Sequence, residues 1–124
     1  MNKDNSFVCN GGSKLIFACS GAADVGAITD QAARKMTKEC VGKMFCTAGI
    51  GGRISGIMKT TKSADKILAI DGCPLDCVKN SLEKVGFNEF DHLQLAELGL
   101  EKGSSPVTAE NIDKVVDKGK EMIT

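Results

Sequence analysis

Three short apolar runs, each broken off by small residues and each followed by apolar positions at helical spacing, confine this chain to an alternating α/β fold. Residues 14–19 (KLIFAC) stop at Ser20-Gly21, and Val25, Ile28, Ala32 and Met36 then recur on one helical face, with Asp24 as the expected N-cap. Residues 43–47 predict a second strand, followed by the stretch Ala48-Gly49-Ile50-Gly51-Gly52 and a short helix carrying Ile54, Ile57, Met58 and Thr61. The third strand, 66–71, is broken by Gly72. Its helix, expected to begin near Pro74, carries Leu75, Val78, Leu82 and Val85 and ends at Gly86. A fourth strand is expected over 91–96 and a loop over 99–106. The last helix has Thr108 as N-cap, with Ile112, Val115, Val116 and Met122 inward and Val107 stapled onto Ile112.

Strands alternating with helices imply a parallel sheet covered on both faces by right-handed crossovers. The expected architecture is a compact three-layer α/β domain with a four-stranded parallel sheet, in the flavodoxin-like order 2-1-3-4. At 124 residues the chain suits one domain over 1–124, made of a polar N-terminal leader (1–13) and the α/β domain proper (14–124). Ligands of such folds gather outside the carboxyl ends of the strands.

That rule bears on the cysteines. Cys19 closes the first strand, Cys46 closes the second, Cys73 follows the third, and Cys77 lies one helical turn beyond Cys73. A lone cysteine in an apolar strand is usually a packing residue. Three separate strand ends delivering one to the same sheet edge favour a metal site instead, one ion per chain on four thiolates. Zinc is the expected ion, because it takes closed thiolate tetrahedra and pairs of ligands at such spacing. Helix N-termini and the glycines beside the sulfurs would offset the excess negative charge, with Arg53 as a nearby cation. Asp71 and Asp76 flank the site, where orienting a thiolate, moving a proton, capping and solvation all explain them. Cys9 falls in the leader and is read as incidental, Cys40 as core. His92 is placed at the start of its strand, opposite the cysteines, as a surface residue.

Charge and composition narrow the partners. Sixteen basic residues balance sixteen acidic ones, and five Phe are the only aromatics, so neither a phosphate-binding footprint nor a base-stacking surface is expected. No stretch reads as a signal-peptide core or approaches the ~20 apolar residues of a membrane helix. The expected setting is the cytoplasm, where thiols stay reduced and six cysteines do not read as a disulfide framework. Two other chemistries use the same residues: a thiol, sulfur or redox enzyme acting through Cys73 and Cys77, and an iron–sulfur cluster on the same four ligands. A cysteine-led phosphatase loop at Cys19 is set aside, since its arginine position is Val25 and residues 20–26 contain no cation.

The segment Ile70-Asp71-Gly72-Cys73-Pro74-Leu75-Asp76-Cys77 resembles the central signature of the DGC domain, named for its Asp-Gly-Cys motif. Cys19-Ser20-Gly21 and Cys46-Thr47-Ala48-Gly49-Ile50-Gly51-Gly52 resemble the family's other two cysteine motifs. The resemblance spans about 14–103 and implies a zinc-binding domain whose four chelating cysteines fall here on Cys19, Cys46, Cys73 and Cys77. It implies no substrate and no catalytic residue.

Overall fold

The computed structural model describes residues 13–124. The leader up to residue 12, with Cys9, lies outside the described residues. In chain order the elements are β1 (Lys14–Ala18), α1 (Asp24–Lys38), β2 (Lys43–Met44), α2 (Thr47–Gly51), α3 (Ser55–Lys62), β3 (Lys66–Asp71), α4 (Cys77–Lys84), β4 (Asp91–Gln94) and α5 (Ala109–Ile123). A 3-10 turn over Leu95–Leu98 follows β4. The four strands form one all-parallel sheet in the order β2-β1-β3-β4, the order expected from the alternation of elements.

The strand sequences are apolar on both sides because both faces are covered. Ile16 and Ala18 of β1, with Leu68 and Ile70 of β3, pack against Val25, Ile28, Ala32 and Met36 of α1 and Val115 and Val116 of α5. Leu15 and Phe17, with Ile67 and Ala69, point the other way onto Ile50, Val78 and Leu82. Ile16 and Phe17 are fully buried, and burial of side chains this size stabilises by roughly 1.5–3 kcal/mol each. Among the described residues no helix is long and apolar enough to cross a membrane.

Several local expectations change. The second strand ends at Met44 rather than at residue 47, because Cys46 caps α2 by accepting the Gly49 N–H, and the glycine stretch closes into that short helix. β4 stops at Gln94, whose side chain accepts from the Ala96 N–H and caps the 3-10 turn. Ala23, not Asp24, is the N-cap of α1. Asp24 instead reaches the loop before α5, where its carboxylate accepts from the backbone N–H groups of Gly103 and Ser105. Thr108 caps α5 as expected, accepting from the Asn111 N–H, whereas Val107 is exposed. Cys40 is exposed in a left-handed turn after α1, so it is not a core residue.

The most consequential change lies before α4. The helix begins at Cys77, about one turn later than the pattern indicated, and Leu75 stands 70% exposed outside it. Residues 72–76 form a tight turn, closed by the Asp76 N–H donating to the Cys73 carbonyl. Asp76 adopts a left-handed conformation (φ 50°). The late start follows from Asp71, which accepts from the N–H groups of Val78 and Lys79 and so caps the helix from seven residues upstream.

Candidate metal centre

Cys19 follows β1 directly, and its N–H still donates to the Ile70 carbonyl of β3, so the ladder carries it to the carboxyl edge of the sheet. Its Sγ lies 3.3 Å from Thr29 Oγ1. The Thr29 hydroxyl donates its single proton to the Gly26 carbonyl and accepts from the Ser20 N–H. In its thiol form, Cys19 is therefore the donor in the sulfur–hydroxyl contact. Thr29 is completely buried on α1, which anchors both the sulfur and the turn that follows it.

Cys73 is delivered by Asp71-Gly72 at the end of β3. A Cβ at Gly72 would lie 2.9 Å from the backbone carbonyl of Val25, closer than real side chains approach. Only glycine lets the turn lie against the first turn of α1, which brings Cys73 beside Cys19. Cys77 opens α4. Cys19, Cys73 and Cys77 line a single cleft of about 510 Å³ together with Asp71, Gly72 and residues of the first turn of α1. All three are free thiols, with Cys19 and Cys73 partly buried and Cys77 exposed.

Cys46 stands apart from them. It is exposed, caps the five-residue α2 by accepting the Gly49 N–H at 3.3 Å, and opens onto a different cleft between α1 and α5. The structure thus gathers three of the four sequence-selected cysteines around one cleft, with Cys46 just beyond the neighbouring strand. Arg53 is exposed and lines neither cleft. Lys102 is the cation at the three-cysteine cleft. It is held there by the loop that Asp24 ties down.

The electrostatics of the cleft are negative. A cysteine at a helix N-terminus ordinarily has a lowered pKa, yet the Cys77 thiol is pushed up from its ordinary value. Burial is the largest cause, followed by the charges of Asp71, Cys73, Cys19 and Asp76. Burial, with close negative neighbours second, opposes the partial charge of one helix end.

One cluster has no counterpart in the sequence reading. His92 is not opposite the cysteines. β4 pairs late on β3, with Asp91 beside Leu68 and His92 beside Ala69, so its imidazole reaches the carboxyl edge. His92 Nε2 lies 2.9 Å from Asp71 Oδ2 and 3.6 Å from Asp76 Oδ1. Asp71 is 1% exposed. Asp76 Oδ1 is buried and has no hydrogen-bond partner. Among the described residues, Asp71, Asp76 and His92 are the one group of three potential ligands whose donor atoms all lie within 4.8 Å of one another. The four sulfurs do not form such a group. Neither this contact nor that of Thr29 leaves a signal in the sequence, since both depend on strand register and helix packing.

The DGC domain family matches residues 15–118. A relative from Pseudomonas aeruginosa, the "Anaerobic and virulence modulator AnvM", is 38% identical over 88 residues, which cover 71% of this chain and 67% of the relative. No solved structure matches the chain. The Asp71-Gly72-Cys73 turn, wedged against α1 with two further cysteines about its cleft, agrees with the extent of that match: this chain belongs to the DGC domain family.

Proposed function

We propose that the protein binds one metal ion, zinc, at the carboxyl edge of its sheet, with Cys19, Cys73 and Cys77 as the central ligands and Cys46 as the fourth. The observation that carries this reading is the convergence of three thiols, from the ends of β1 and β3 and the start of α4, on one cleft. The donors suit the ion: thiolates select zinc and related soft or borderline metals over calcium or magnesium. The negative surroundings of Cys77 are the kind of site that a cation relieves. Cys46, exposed at the N-cap of the five-residue α2 just beyond a two-residue edge strand, is the least constrained ligand of the set.

In this reading the chain's own groups have separate tasks. Thr29 holds the turn after Cys19 through the Ser20 N–H, the Gly72 turn sets Cys73, and Asp71 holds the start of α4 and therefore Cys77. Bound zinc supplies positive charge that keeps the thiolates ionised. Exposed Cys46 and Cys77 leave the ion reachable from solvent, which suits metal handover or sensing better than a buried staple. We read this chain as a metal-binding protein of a reducing compartment, the cytoplasm.

Metal content after purification under reducing conditions tests the proposal. The wild type is expected to carry one zinc per chain. Cys73→Ser and Cys77→Ser are expected to carry almost none, with Cys19→Ser and Cys46→Ser also weakened. Wild-type zinc content in both Cys73→Ser and Cys77→Ser would refute it.

A further inference from the structure

We propose that His92 is a positioning residue of the metal centre, fixing through Asp71 the turn that carries Cys73 and Cys77; the inference rests on the thiolate reading above. The turn 72–76 is bracketed by two aspartates. Asp71 precedes Gly72 and Cys73, and Asp76 precedes Cys77. A single imidazole nitrogen faces both carboxylates, at 2.9 Å from Asp71 Oδ2 and 3.6 Å from Asp76 Oδ1. The hydrogen bond goes to Asp71 alone, and no described group, His92 included, donates to Asp76 Oδ1.

The direction of the stronger contact follows from its surroundings. Asp71 accepts from the Val78 N–H at 2.8 Å and from the Lys79 N–H at 3.1 Å, so its carboxylate acts as an acceptor on both oxygens. The imidazole is therefore the donor, through Nε2–H. This contact completes a chain running from β4 through Asp71 to the first amides of α4. Cys77 is the first residue of that helix, and Cys73 is joined to Asp71 by Gly72 alone. A rotation of the Asp71 carboxylate would thus move both sulfurs. Outer partners that fix ligands in this way typically contribute about 10–100-fold in metal affinity.

His92 also sits where a packing residue would not need a ring nitrogen. Its side chain is 21% exposed while Asp71 is 1% exposed, so the imidazole closes the buried carboxylate off from water at the sheet edge. An apolar side chain of similar size would still cover that spot but would supply no donor. The hydrogen bond and the covering role can be separated by substitution.

The test is a Co²⁺ titration of the reduced, full-length protein against a competing chelator, read by thiolate-to-cobalt absorption. His92→Leu is expected to weaken Co²⁺ binding about 10–100-fold at unchanged stoichiometry. His92→Gln, whose Nε2 can donate to Asp71, is expected to recover most of the loss. Circular dichroism of each metal-free variant at the titration temperature must show the folded chain. Unchanged affinity in His92→Leu, a glutamine variant as weak as the leucine one, or a loss explained by unfolding of the metal-free variant would each overturn the positioning role. A wild type that binds two Co²⁺, one of them lost with His92 and lacking thiolate bands, would overturn it too, by making His92 a ligand beside Asp71 and Asp76. A wild type with no thiolate bands at all would instead refute the metal centre itself.

Discussion

Replacing Asp71 with alanine removes three hydrogen bonds at once: those from the N–H groups of Val78 and Lys79 and that from the His92 imidazole. The Val78 amide is the costliest to abandon. Val78 is fully buried, so water does not replace the lost acceptor, and an unpaired buried donor costs about 1–3 kcal/mol. Lys79 is only partly buried and regains some solvation. Loss of a helix cap costs ~1 kcal/mol in ordinary cases. Together these terms predict destabilisation of about 3 kcal/mol, a large share of the 5–15 kcal/mol typical of a domain. The thermal midpoint would fall by roughly 10 °C. Urea unfolding with chelator present isolates the fold from the metal. Far-ultraviolet circular dichroism is the suitable probe, because the chain has no Trp or Tyr. Asp71→Asn keeps one acceptor and should fall between the wild type and the alanine variant. An Asp71→Ala protein within about 1 kcal/mol of the wild type would refute the claim that this carboxylate holds the start of α4.

Asp24 gives a pH dependence with a definite sign. The backbone N–H groups of Gly103 and Ser105 hold its pKa below the ordinary value, so its contribution is present above the unfolded-state pKa and is lost as pH falls through the folded one. Asp24→Asn should therefore be less stable than the wild type near neutrality and match it in strong acid. A constant difference across that range would show that the loop contact does not depend on the charge. Removing the metal under reducing conditions should leave the helical circular dichroism in place and lower the thermal midpoint, because the two buried clusters on either side of the sheet form the core without it. Collapse of the helical signal on chelation would make the metal a folding staple.

The sheet was legible because its strands are buried on both faces, which makes 14–18 and 66–71 stand out as continuous apolar runs. Helices α1 and α5 were legible for the opposite reason, one apolar stripe on an otherwise polar surface. The position of Cys73 followed from the end of β3 alone. The start of α4 did not, because its cap is supplied by Asp71 across a turn rather than by the residue next to the helix. His92 was hidden for a related reason. Strand pattern predicts that β4 exists, but its offset along β3 is a tertiary matter, and that offset moves the imidazole from one end of the sheet to the other. Cys46 was expected to close the second strand, yet β2 ends at Met44 and Cys46 instead caps the short α2, so its sulfur ends on a separate cleft from the other three.

X-ray absorption at the zinc edge, on protein loaded with one equivalent of zinc under reducing conditions, tests the central claim most directly. The proposed centre predicts a shell of sulfur scatterers at ~2.3 Å, reduced in number by Cys73→Ser or Cys77→Ser. A shell of oxygen and nitrogen scatterers at ~2.0–2.2 Å, with no sulfur, would contradict it and move the ion to Asp71, Asp76 and His92.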